Sequence, residues 1–239
     1  MLSMNDNSTK LILCFALFLA GNIMGIGQII KTEPFTFTSP ENDPRGEMEL
    51  SPKEVILYEN ARGQKSSFYP FKGEIGDELS INVMETQSKL IRQIQFEYYA
   101  ALNSFQTGQE CIVRIYVNDG RPVSENGPRK PGEMLFQSDA FPVQTGFNMV
   151  SISGFSIVVP AGSESITMSV DLLGLSSICR VGLLTNNEPE VGSSSAYCWV
   201  NSGTDETPLW LIKEDSLRKF NFSSRISGEN LIPSFKIDN

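Results

Sequence analysis

The chain contains no histidine. That removes the commonest general base, the Ser-His and Cys-His dyads, and the usual zinc and copper ligands. A hydrolase built on this sequence would have to work with carboxylates, Lys or Tyr. Basic residues are also short, 19 Lys and Arg against 28 Asp and Glu, for a formal net charge of −9. An acidic surface repels phosphate backbones, so nucleic acid is not an expected partner, and adsorption to anionic lipid is disfavoured. No segment carries a sustained helical stripe. No Gly-x-Ser-x-Gly elbow surrounds Ser193-Ser194-Ser195, which without histidine makes a poor nucleophile, and no Gly-rich phosphate loop is found. Leu231 to Asn239 is short and mixed, so no membrane anchor or sorting tail is expected.

What is present begins with Leu11 to Ala20, an apolar run directly behind Lys10. Spanning a bilayer takes about 20 apolar residues, so this run fits a secretory signal better than a membrane span. Gly25 and Gly27 are small exit residues, and a signal peptide over 1–27 is expected. The mature chain is then secreted, periplasmic or at the cell surface. Of the four cysteines, Cys14 lies in this signal, leaving Cys111, Cys179 and Cys198. Cys179 and Cys198 sit on apolar runs that follow each other closely and are the expected disulfide; the other reading is three buried thiols acting as small hydrophobes.

Residues 28–52 are rich in Pro, Thr, Ser and Glu and read as an extended acidic linker, with one short strand at Phe35 to Thr38. Short strand patterns then recur. They include Val55–Tyr58, Leu79–Val83, Gln93–Tyr98, Cys111–Val117, Met134–Phe136, Asn148–Ile152, Phe155–Val159, Ser165–Val170, Arg180–Leu184, Tyr197–Val200, Leu209–Ile212 and Phe220–Phe222. In the third, Ile94, Phe96 and Tyr98 share one face; in the fourth, Cys111, Val113, Ile115 and Val117 do, turning Arg114 away. Turn formers separate them, among them Gly73, Gly76-Asp77, Asn118-Asp119-Gly120 and Pro160-Ala161-Gly162. The expected fold is all-β: an antiparallel β-sandwich of jelly-roll type over 53–227, with a C-terminal tail over 228–239.

Several strings in order carry a resemblance. They are Val55-Ile56-Leu57-Tyr58-Glu59-Asn60, the stretch Phe71 to Leu79, Ile94 to Tyr99, Val113 to Gly120, Pro131 to Phe136, and Val191 to Ser194 followed by Tyr197-Cys198-Trp199. Together they resemble an uncharacterised β-sandwich domain of secreted proteins of environmental bacteria, often ones with a PEP-CTERM sorting tail. The resemblance covers about residues 53 to 226 and implies a secreted all-β module. It supplies no catalytic residue, and this chain departs from it in lacking the sorting tail.

The candidate sites follow from residue chemistry. Asn118 and Asp119, with Asp139 or Glu125 from the following loop, could offer oxygen ligands to calcium, although Asn-Asp-Gly is first of all a tight turn. Gly76-Asp77-Glu78 reads as a turn into a strand, its acids being the second choice for calcium or for acid/base work. Glu97 and Glu110 are further carboxylates that a glycan-active enzyme would need to bring within about 5–9 Å of a partner. Tyr98, Tyr99, Trp199 and Trp210 are the aromatic candidates for stacking on sugar rings; Trp199 and Trp210 also suit a core. The expected function is a non-catalytic extracellular binding or structural module, with carbohydrate or an extracellular protein as partner, no cofactor required and calcium the candidate ion. The alternative is a carboxylate-dependent glycan-active enzyme. Sequence leaves the oligomeric state open.

Overall fold

A computed structural model of the chain describes residues 28–34, 54–61, 67–81, 88–101, 108–163, 165–175, 180–186, 188–204, 207–214 and 220–231. Among them there is no helix, and fifteen strands form two antiparallel sheets packed as a sandwich.

The eight-stranded sheet is organised by β5 (Ser88–Ala101), its longest strand. One edge of β5 takes β10 (Ile157–Val159) and then β9 (Gly146–Ser153) end to end. The other takes β15 (Ser224–Leu231) and then β12 (Arg180–Thr185). Beyond these lie β1 (Ile29–Pro34) on β9, β2 (Val55–Glu59) on β15, and β3 (Ser67–Pro70) on β12. The second sheet runs β14 (Trp210–Lys213), β13 (Ser193–Asn201), β4 (Gly73–Ser80), β11 (Ile166–Leu173), β6 (Glu110–Val117). The free edge of β6 carries β7 (Met134–Gln137) and β8 (Phe141–Pro142).

Alternation puts one face of each strand into a shared core. Ile94, Phe96 and Tyr98 from β5 meet Cys111, Val113 and Ile115 from β6 and Ile166, Met168 and Val170 from β11, all buried. Each large side chain fully buried this way contributes about 1.5–3 kcal/mol. The faces of β5 and β6 are those the sequence pattern predicts, with Arg114 turned away from the core.

Four expectations change. The strand in the supposed linker is Ile29–Pro34, paired along its length with β9, whereas Phe35 to Thr38 lies outside the described residues, as does the signal segment 1–27. The sheet therefore reaches back to Ile29. It also reaches forward to Leu231, because β15 occupies Gly228 and the positions after it, which the sequence pattern assigns to a tail. Phe220-Asn221-Phe222 is a lead-in to that strand, bridging Thr185 at Phe222. Gly73 opens β4 with a positive φ of 74°, at the end of the short connection from β3, whereas Gly76-Asp77 is not a turn but lies inside β4. Gly76 is small for a packing reason: a methyl there would stand 2.5 Å from Thr167 Cγ2 on β11.

Gly228 has a stricter role. It pairs Ile91 while Ser227 pairs Gln93, so β5 carries one extra residue, Arg92, in a bulge. The bulge lets Ile91 and Ile94, three residues apart, both enter the core. A methyl on Gly228 would overlap the Leu90 carbonyl oxygen. Gly228→Ala is expected to cost about 1–3 kcal/mol or more, as overpacking against backbone does, read as a lowered urea midpoint; an unchanged midpoint would show that the bulge tolerates a side chain.

Candidate functional site

The outward face of the seven-stranded sheet is polar yet largely buried. Strand β4 sends Glu74, Gly76 and Glu78 to this face, and β11 sends Thr167, Ser169 and Asp171. Strand β6 adds Arg114 and Tyr116, and β13 adds Trp199 and Asn201.

Glu74 is the centre of one network. Its Oε1 accepts hydrogen bonds from Ser169 (2.6 Å) and Tyr116 (3.0 Å), and its Oε2 accepts one from Asn201 Nδ2 (2.8 Å). Arg114 Nη1 lies 3.3 Å from Glu74 and 2.9 Å from Asp171, and Arg114 Nε donates to Gln137 at 2.8 Å. Hydrogen bonds to an ionised group contribute about 1.5–3 kcal/mol each when both partners are present. A charge left alone at such depth is strongly unfavourable, so the network holds only as a whole.

Glu78 is the centre of the second. Its Oε2 accepts from Tyr197 Oη (2.8 Å) and Trp199 Nε1 (2.9 Å), and its Oε1 from Ser165 (2.9 Å). Ser165 in turn accepts from Asn118 Nδ2 (2.8 Å), whose Oδ1 takes the Thr167 hydroxyl (2.7 Å). Burial above all, with the bond to Glu78 adding and Ser195 opposing, raises the Tyr197 phenol so that it stays protonated.

At the same end of this sheet two clefts open. One, of about 410 Å³, lies between the β6–β7 connection and the β10–β11 loop; Asn118, Asp119, Arg129, Glu133 and Ser163 are among its lining residues. The other, of about 190 Å³, is lined by Glu78, Ser80, Ser165 and Ser193 to Ser195. The Asn118–Ser165–Glu78 chain of hydrogen bonds joins them. The rim crosses β13, β4, β11, β6 and β7, four steps of about 4.8 Å, or roughly 19 Å.

The predicted site residues are dispersed. Tyr98 is a core residue; burial pushes its phenol up to about 12, against the opposing bond from the Gln144 N–H at 2.9 Å. Tyr99 points to the opposite face, half-buried against Phe147 with ring centroids 4.6 Å apart. Trp199 and Trp210 are buried on the outer face of the other sheet, with Tyr116 edge-on to Trp210 at 5.3 Å and Tyr197 edge-on to Trp199 at 5.7 Å. These four do not form one flat platform.

Of the calcium candidates, Asn118 is committed to Ser165 and Thr167, and Asp119 Oδ1 accepts the Glu133 N–H at 2.9 Å. Asp139 follows Ser138, which is bound to Val113 six residues back along β6, about 20 Å away at 3.3 Å per residue. Asp139 therefore does not join Asp119, and Glu125 is exposed near the tip of the β6–β7 connection. Cys198 and Cys111 are buried free thiols, and Cys179, the expected partner of Cys198, lies outside the described residues. Glu97 is buried on the other sheet, accepting the Ser223 hydroxyl, and Glu110 is exposed at the start of β6.

Asp77 departs furthest from its expected place. Between Ile75 and Leu79 it faces the core, fully buried, and Phe222 N–H donates to its Oδ2 at 2.9 Å. Burial holds its carboxyl well above the usual range, against the Phe222 bond, with the charge of Glu78 adding. Comparison with known protein families, curated proteins and solved structures finds no match for the chain.

Glu74→Ala removes the acceptor of three side-chain donors and one partner of Arg114; the expected loss is about 3–5 kcal/mol, measured by chemical denaturation, and a loss below 1 kcal/mol would mean that water replaces the carboxylate. Asp77 binds its proton more tightly folded than unfolded, where its pKa is about 3.9. Its contribution is therefore complete below that pH and is lost as pH rises through the raised folded value. In metal-free buffer, Asp77→Asn should be more stable than the parent by a margin that widens with pH; a constant margin would show that Asp77 keeps no proton.

Proposed function

We propose that the protein is a non-catalytic extracellular binding module whose ligand, a carbohydrate, lies along the rim at the Ser80 end of the seven-stranded sheet. The observation that carries this reading is the pair of open clefts joined through Asn118, Ser165 and Glu78. Their lining is hydroxyls, an amide, carboxylates and one guanidinium, groups that donate to and accept from a polyhydroxylated chain. With Trp199 and Trp210 buried, recognition rests on hydrogen bonds more than on ring stacking. Export is part of the proposal, supported by the apolar run behind Lys10 and by the resemblance to secreted β-sandwich domains.

Jelly-roll connectivity belongs to the same reading. It is supported by how often the chain changes sheet, at β3 to β4, β4 to β5, β5 to β6, β8 to β9, at each step from β10 to β13, and at β14 to β15. The glycan-active enzyme is the second reading, and the geometry favours it less. Such chemistry pairs a protonated acid with an ionised carboxylate across the scissile bond. Asp77 holds its proton by burial but faces the core, whereas Glu78, at the cleft, is an acceptor fixed by three donors.

The test is a binding screen of the purified protein against a panel of polysaccharides, followed by Arg129→Ala and Ser195→Ala on any hit. The expected result is saturable binding without turnover, weakened about tenfold or more by either variant, as the loss of a hydrogen bond to a charged or well-placed group implies. Binding that both variants leave intact would put the ligand elsewhere. Failure on every glycan, with capture of a surface protein instead, would replace the carbohydrate by a protein partner, and released sugar would restore the enzyme.

A further inference from the structure

The core side of β4 holds a group of oxygen atoms that the rim does not use. Asp77 sits there fully buried, with Cys198 and Met168 as cross-strand neighbours, and its Oδ1 has no hydrogen-bond partner. Tyr58, equally buried, faces Asp77, Ser194 and Asn60, yet its hydroxyl is hydrogen-bonded to none of them. Asn60 commits its Nδ2 to the Phe222 carbonyl at 3.3 Å, and its Oδ1 has no donor. Ser194 donates to Asn221 Oδ1 at 2.6 Å, and its hydroxyl also lies against Asp77.

Acceptors outnumber donors in this group. Against the unmet Asp77 Oδ1 and Asn60 Oδ1 stands the single Tyr58 O–H. The principal groups acting on Asp77 are the Phe222 and Glu78 N–H groups, the Ser194 hydroxyl and the negative Glu78; none is a cation. Lys213, opposite Cys198 on β14, is exposed and acts on that thiol. A buried carboxylate without a counter-charge must take up a proton or a cation. A proton serves one acceptor, whereas a cation serves several at once.

We propose that Asp77, Tyr58, Asn60 and Ser194 form a site for one hard cation of the calcium type, held by oxygen ligands. Hard cations are bound by carboxylate and amide oxygens of this kind. Among the described residues no three Asp, Glu, Cys or His side chains converge, so this site is one carboxylate completed by neutral oxygens. That composition places its affinity in the weak class of about 10⁻⁴–10⁻³ M typical of extracellular modules. Ser194 also lines the 190 Å³ cleft, together with Glu78. The site is distinct from the calcium expectation at Asn118 and Asp119, and it does not depend on what binds along the rim.

Calcium titration into the full-length protein, by calorimetry and by thermal unfolding with magnesium as control, tests this. The expected result is one calcium per chain and a rise in Tm with calcium, absent in Asp77→Asn and weakened severalfold in Tyr58→Phe. Binding should tighten as pH rises, because proton and cation compete for one carboxylate. Asparagine is close to isosteric with a protonated Asp77, so that variant should fold; should it not, the parent titration decides alone. Absence of saturable binding up to about 10 mM, tenfold above the weakest affinity expected, overturns the proposal. So does calcium binding that Asp77→Asn leaves intact.

Discussion

Strand β5 gives away both of its edges along its whole length, and the placement of its sheet depends on this. A strand of 14 residues is long enough to seat two shorter strands on each side. Three separate stretches of the chain, 146–159, 180–185 and 224–231, therefore meet on it. The bulge at Arg92 then decides which side chains of β5 enter the core, and it depends on Gly228 approaching the Leu90 carbonyl without a side chain. A slip of one residue in this register would turn Ile94 and Phe96 outward.

The strands that could be read from the sequence were those with a half-buried alternation. Ile94-Gln95-Phe96-Glu97-Tyr98 and Cys111 to Val117 show period two because their outward residues are polar. Strand β4 was obscured by Gly73, Gly76 and Asp77, residues that favour turns when their neighbours are unknown. Gly76 is there because Thr167 lies against it, a constraint from a strand 90 residues away that no local pattern carries. Strand β15, Ser-Arg-Ile-Ser-Gly-Glu-Asn-Leu, is polar along most of its length yet mostly buried, its Arg225 paired with Glu59. The rim is legible only in pieces: Asn118, Asp119 and the serine run stand out in the sequence, whereas Ser165 does not, nor do Glu74 and Tyr197 of the two networks. Their meaning is their pairing, and pairing between strands is not written in local spacing.

Strand β4 also reverses the usual division between a polar outside and an apolar inside. Its outward face buries Glu74 in a network that supplies it with several donors and a guanidinium, and its inward face buries Asp77 with few. The two carboxylates are three residues apart and both buried, yet their surroundings differ. Glu74 is met by three side-chain donors and a guanidinium. Asp77 is pressed toward neutrality by the hydrocarbon beside it, and toward a cation by the oxygens that face it.

This division bears on how the rim would bind. Glu78 accepts from three side chains on β13 and at the head of β11, so its carboxylate is already oriented before a ligand arrives. Ser165 and Asn118 continue that fixed chain to the larger cleft. A surface ordered in advance loses little side-chain entropy on association, at about 0.5–1.5 kcal/mol saved per side chain that need not be immobilised. Arg129 and Glu133, exposed on the loop above, are the groups left to adapt. On the proposed reading the sheet end would set where a ligand lies and the β6–β7 connection which ligand is accepted, so differences in specificity should trace to residues 118–133 rather than to the strands beneath.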